Sequence, residues 1–171
     1  FMDLALKTAK NAGKAGEVPI GCVIVRGYEV IATAGNRTLT DRDPTAHAEI
    51  LAIRQAAEAI GTERLVDCDL YVTLEPCCHT GRTPPCTAAL TAAGVSRVVF
   101  GASDPNPRVN GGGEQALRAA GIDVSGGLLA AESERLNAGF ILRMRRGWPL
   151  VRSKIAATLD GRTALPDGRS Q

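Results

Sequence analysis

The chain has 171 residues, 44% of them hydrophobic and 22% charged, which is the composition of one folded domain and excludes disorder over most of its length. A net charge of +2 gives no electrostatic argument for a nucleic-acid partner, and 4% aromatics offer no base-stacking platform. No apolar run is long enough to span a bilayer, and FMDLALKTAK at the start lacks the continuous apolar core of a signal peptide. Five cysteines, an odd count, then point to a reducing cytoplasmic setting in which clustered thiols serve metal binding or catalysis before disulfides. Phe1 and the closing GRSQ read as fragment boundaries.

Residues 2–15 place Leu4, Ala5, Ala9 and Ala12 at helical spacing, with a glycine near the end. GCVIVRGYEVIATAGN (21–36) predicts two strands joined by a tight turn at Arg26-Gly27. Residues 44–60 predict a second helix, ended by Gly61. DLYVTL (69–74) predicts a short buried strand, and PPCTAALTAAG (84–94) a helix opened by proline and closed by glycine. RVVFGA (97–102) predicts another apolar strand. A helix follows NGGG and reaches about residue 120; IDVSGG (122–127) predicts a strand or turn. Residues 128–147 predict a last helix broken at Gly139, and WPLVRSKIAATLDGRT (148–163) a new strand with no partner left in the chain. Strands alternating with helices argue for a layered α/β domain. The opening hairpin followed by crossovers argues for a mixed sheet flanked by helices.

Two short stretches carry chemistry. TAHAEI holds His47 and Glu49 two positions apart, and EPCCHTGRTPPC offers Cys77, Cys78, His79 and Cys86. Zinc favours thiolate and imidazole ligands, and a catalytic zinc takes three of them and leaves one position open. Cys77 and Cys78 are adjacent and would strain to grip one ion. Cys86 falls in the first turn of the third predicted helix, where the dipole and free N–H groups favour a thiolate. His47, Cys77 and Cys86 are therefore the expected metal ligands. Glu49 is the expected proton shuttle, since a carboxylate beside such a metal can take a proton from water and pass it on. Competing readings stay open here. Glu49 could cap a helix, although Thr45 is four residues away and not three. Cys78 or His79 could close a purely structural zinc site. Cys22 reads as a small core residue, and Cys68 has no evident partner.

His-x-Glu followed by Pro-Cys and a later cysteine resembles the zinc-dependent nucleobase deaminase superfamily. The resemblance implies a cytidine deaminase-like fold, a three-layer α/β/α sandwich with a mixed central sheet. Residues 1–76 resemble bacterial tRNA adenosine deaminases through EVPIGCVIV, AGNRT, TAHAEI and LYVTLEPC, but Thr80 stands where the second cysteine of Cys-x-x-Cys would fall. Residues 77–171 resemble the bifunctional deaminase/reductase of riboflavin biosynthesis through PCCHTGRTPPC, AAGVSRVVFGASDPNPRVNGGG, AGIDVSGGL, NAGF and SKIAATLDGRT. The change-over suggests a chimera, engineered or natural. The first resemblance implies a base contact at Asn36. The second implies ribose or phosphate contacts at His79, Arg82 and Asn106, and an arginine suits an anionic oxygen; each of these three reads equally well as a solvated loop residue.

EVPIG replaces the NP-x-VG usual in the riboflavin enzymes, and RMRRG is the only basic run where tRNA deaminases carry an aromatic, basic final helix. The implied organisation is a deaminase domain over 1–147 and a reductase-like stub over 148–171, in which Lys154 and Asp160 have no site to complete. Reductase activity is not expected. The expected function is zinc-dependent hydrolytic deamination of a phosphoribosylaminopyrimidine. Deamination of adenosine in tRNA is the alternative, and a non-catalytic zinc scaffold is the rival of another class. No membrane partner is expected. A homodimer is, with an apolar helix such as residues 88–93 as its contact.

Overall fold

A computed structural model describes residues 1–81 and 83–169. Helix α1 (Met2–Lys14) buries Met2, Ala5, Leu6, Ala9 and Ala12, the stripe that its spacing predicts. Strands β1 (Gly21–Arg26) and β2 (Glu29–Gly35) form the expected antiparallel hairpin. Its turn falls on Gly27 and Tyr28, one residue later than predicted, because Gly27 takes the left-handed backbone (φ 61°). The other elements are α2 (Ala48–Ile60), β3 (Cys68–Leu74), α3 (Cys86–Ala93), β4 (Arg97–Ala102), α4 (Gly112–Ala119), β5 (Asp123–Gly126), α5 (Ala130–Leu136) and α6 (Ala138–Arg146).

Three sequence expectations need correction. Helix α2 starts at Ala48 and not at residue 44. The Arg37 amide donates to the Ala46 carbonyl at 3.0 Å, and His47 stays extended (φ −73°, ψ 150°), so the segment before it is a loop. The last helix breaks at Asn137 and not at Gly139. Asn137 is buried, and its Nδ2 donates to the Pro19 and Ser133 carbonyls, diverting the chain from one continuous helix. Residues 148–163 form no strand; they are exposed throughout. A strand needs a neighbour for its N–H and C=O groups, and none is paired with this segment.

The sheet runs β2-β1-β3-β4-β5. The β1–β2 and β1–β3 pairs are antiparallel, whereas β3–β4 and β4–β5 are parallel, which is the expected mixed sheet. Register sorts the side chains by face. Cys22, Ile24, Leu70, Val72, Val98 and Phe100 face α2, α3 and α4 in the larger core. Val23, Val25, Val99 and the half-buried Tyr71 face α1 and α5. Helices on both faces complete the three-layer α/β/α sandwich. Gly21 is where α1 crosses closest: a β-carbon there would overlap the Ala5 carbonyl oxygen and the Ala9 nitrogen. No helix among the described residues is long and apolar enough to cross a membrane.

Parallel strands β3 and β4 end on the same edge of the sheet. The chain leaves β3 through Glu75, Pro76 and Cys77, and leaves β4 through residues 103–111. Ligand sites of α/β sheets gather outside these carboxyl ends.

Candidate metal centre

Helices α2 and α3 both begin at this edge. His47 is the residue just before α2, and Cys86 is the first residue of α3, behind an extended Pro85. Cys77 meets them from the end of β3. The Cys86 amide donates to Cys77 Sγ at 3.3 Å and the Thr87 amide to the Cys77 carbonyl at 3.2 Å. The first turn of α3 therefore fixes Cys77 as well as Cys86.

His47 Nδ1 lies 3.3 Å from Cys86 Sγ and 4.0 Å from Cys77 Sγ, and the three donor atoms all lie within 4.8 Å of one another. Tetrahedral bonds to zinc would separate such N and S donors by roughly 3.5–3.8 Å. The set fits one zinc ion with a position to spare. Cys78 takes no part: its Sγ lies 3.6 Å from the Arg108 carbonyl oxygen. His79 is also outside the triplet, its Nδ1 buried without a hydrogen-bond partner. A closed four-ligand site built with either residue is not what the structure contains.

The donors perturb one another. The Cys77 thiol is pulled down to about 4, first by the Cys86 thiol against it and then, against the cost of burial, by His47 and the Cys86 amide. Cys86 keeps the shared proton, so its thiol is pushed up by Cys77 and by burial. His47 is raised chiefly by its contact with Cys77. Two sulfurs and an imidazole converging on one point make a donor set that suits a cation, and the amino ends of α2 and α3 add partial positive charge that favours thiolate.

Glu49 sits in the first turn of α2 and is 5% exposed. Burial pushes its carboxyl up to about 7, with its own backbone amide and His47 holding it back. It makes no capping bond. Asn36 serves α2 instead: its Oδ1 accepts the Ala48 amide at 2.8 Å. Asn36 is thereby buried behind the start of the helix and does not line the main cavity. That cavity, of ≈ 530 Å³, opens beside two of the metal ligands, His47 and Cys77. Its lining comes from two stretches of chain: Thr38, Leu39, Arg42, Pro44 and His47 before α2, and Cys77, His79, Gly81 and Thr83 between β3 and α3. Asn106 lies in the loop after β4, where its amide bonds Asp104 and its Oδ1 accepts the Arg108 amide, away from the cavity lining. Arg82 lies outside the described residues. Cys22 and Cys68 are fully buried core residues.

Sequence reasoning missed Glu75. Its carboxylate, 3% exposed, accepts amides of Asp104, Gly111, Gly113 and Glu114 at 2.9–3.2 Å. It caps α4 and anchors the loop after β4 two residues from Cys77. The isolated acid in EPCC gives no pattern that could reveal this. Glu75→Ala leaves those donors without their acceptor. It should cost about 3 kcal/mol of stability, enough to lower Tm by roughly 6–12 °C in a thermal melt.

Comparisons with known proteins agree with the geometry. Residues 1–102 match the cytidine and deoxycytidylate deaminase zinc-binding region. The chain is 47% identical over 174 residues to riboflavin biosynthesis protein RibD of Escherichia coli (strain K12), covering 100% of this chain and 45% of that protein. It is 53% identical over 105 residues to a tRNA-specific adenosine deaminase of Agrobacterium fabrum, covering 61% of this chain and 65% of that one. A crystal structure of a diaminohydroxyphosphoribosylaminopyrimidine deaminase/5-amino-6-(5-phosphoribosylamino)uracil reductase from Thermotoga maritima superposes with a TM-score of 0.87 at 38% identity, over 100% of this chain and 48% of that one. The chain spans about half the length of the RibD proteins that it matches. The match to RibD covers the whole chain, on both sides of residues 76 and 77, where the two sequence resemblances change over. With zinc-type donors brought together at the start of two helices, and a family match over residues 1–102 of the 171, this protein belongs to the cytidine and deoxycytidylate deaminase zinc-binding family.

Proposed function

We propose that the chain is the deaminase half of a riboflavin-pathway enzyme, hydrolysing the exocyclic amine of a phosphoribosylaminopyrimidine. The observation that carries this reading is the cavity. It is lined by His79, Gly81 and Thr83 of the loop between Cys77 and Cys86 and by the metal-site residues His47 and Cys77, in a chain that RibD relatives match over its whole length. His47, Cys77 and Cys86 would hold zinc. When bound, the ion supplies a Lewis acid that brings the ionisation of water down to neutral pH.

The remaining steps fall to the protein. Glu49, buried and with a carboxyl near 7, accepts a proton from the attacking water at a carboxylate oxygen and returns it to ring nitrogen. A second proton reaches the departing amine, so that water is consumed and ammonia leaves. The cavity walls hold the ring carbon over the metal centre. His79, with its unsatisfied Nδ1 at the wall, is placed to meet a ribose or phosphate oxygen, and Arg82 is assigned the same role from sequence. Residues 148–171 begin the following domain in this reading. A reducing cytoplasm goes with it, since all five cysteines are free thiols. So does a homodimer, with the exposed Ala88 and Ala92 of α3 as contact points.

The second reading, deamination of adenosine in tRNA, rests on the 53% identity to the Agrobacterium enzyme. Zinc-loaded protein should release ammonia from the phosphoribosylaminopyrimidine and leave a tRNA anticodon stem-loop unchanged. Turnover of the stem-loop alone would replace the first reading with the second. A zinc-loaded chain inert toward both would leave a non-catalytic scaffold.

A further inference from the structure

The loop over residues 37–46 supplies Thr38, Leu39 and Arg42 to the cavity wall and delivers His47 to the metal centre, yet it contains no helix or strand. Its ends are joined by the Arg37 amide on the Ala46 carbonyl. Its middle is held from outside, by the segment that leaves α1. Glu17 is 5% exposed although Gly16 and Val18 on either side are exposed. Its Oε1 accepts the Leu39 amide at 3.0 Å, the Thr40 amide at 2.7 Å and the Thr40 hydroxyl at 2.8 Å. Its Oε2 accepts the Leu39 amide at 3.2 Å and the Thr38 hydroxyl at 3.3 Å.

Burying a carboxylate is costly unless its oxygens are satisfied, and here every bond goes to three consecutive residues, of which Thr38 and Leu39 line the cavity. Just beyond them, Arg42 holds a left-handed backbone (φ 52°), which a non-glycine residue keeps only when its surroundings fix it. We propose that Glu17 is a positioning residue for the reaction: by gripping Thr38, Leu39 and Thr40, its carboxylate fixes the part of the wall made by Thr38 and Leu39, against which the substrate is bound. The assignment rests on the deaminase reading above. Glu17 touches neither the metal triplet nor Glu49, so it acts through the wall.

The test compares Glu17→Ala and Glu17→Gln with the parent, all zinc-loaded. It reads zinc content, kcat and KM on the phosphoribosylaminopyrimidine or the tRNA stem-loop, whichever is turned over, and amide hydrogen exchange at Leu39 and Thr40. Losing the charge-assisted bonds in Glu17→Ala should raise KM by about 10- to 100-fold. Zinc should stay bound and kcat should change by less than about threefold. Glutamine keeps an acceptor for Thr40 and should bring KM back to within about fivefold of the parent. Exchange at Leu39 and Thr40 should accelerate in the alanine variant and not in the glutamine variant. An unchanged KM overturns the assignment, as does a fall in kcat in step with zinc loss. If the parent turns over neither substrate, the deaminase reading falls, and exchange still decides the clamp: Leu39 and Thr40 amides that stay protected in Glu17→Ala refute it.

Discussion

Glu49→Ala should retain its zinc and its fold while turnover drops by about 10²–10⁴-fold, the range of a lost general acid–base. Glu49 lies outside the donor triplet, so its removal takes no ligand from the metal. Metal content by atomic absorption and circular dichroism would check the first half of this expectation, and a steady-state assay the second. Retained activity would remove Glu49 from the proton path. The same residue makes a stability prediction with a definite sign. Its carboxyl is raised from 4.5 to about 7 by burial, so the folded chain binds the proton more tightly than the unfolded chain. Stability from this group is complete below pH 4.5 and is lost as pH climbs to about 7. After chelation of the metal, the parent should lose about 3 kcal/mol relative to Glu49→Gln across that window. A metal-free glutamine variant no more stable than the parent at pH 8 would contradict the buried-acid reading.

Cys86→Ala should lose zinc and activity together. Altering a hydrogen-bonded neighbour of a metal ligand already costs roughly 10–100-fold in affinity, and removing one of three ligands must cost more. Cys86 is 1% exposed, so water cannot simply take the place of the sulfur. The loss should also reach Cys77, which keeps its bond from the residue-86 amide but loses the thiol beside it. Cys78→Ala is the matched control. It should keep zinc and rate, because that sulfur is turned toward the Arg108 carbonyl. Zinc loss in the Cys78 variant, or zinc retained in the Cys86 variant, would reassign the ligand set.

The metal residues could be read from sequence because their chemistry is rare. Few residue types bind zinc, and Cys86 announced its helix start through Pro84 and Pro85. Strands β1, β3 and β4 were equally legible, each an apolar run between turn residues, whereas DVSG of β5 read as strand or turn and the apolar positions of 148–163 suggested a strand that does not form. The errors share a cause: long-range bonds decide where a local pattern stops. Nothing in DRDPTAHAEI shows that the Arg37 amide will close on Ala46 and hold His47 out of the helix. Nothing in NAGF shows Asn137 reaching the Pro19 carbonyl, 118 residues away. Glu17 and Glu75 went unnoticed because a solitary acid reads as solvated surface. Only the folded chain encloses each of them in amides.

The eight residues between Cys77 and Cys86 leave and return at a clasp made by the Cys86 and Thr87 amides on Cys77. The clasp ties the two ends of that excursion together through main-chain amides, so a change of side chain at its tip leaves both bonds to Cys77 in place. Both sulfur positions thus depend on main-chain bonds that no side chain of the intervening segment supplies.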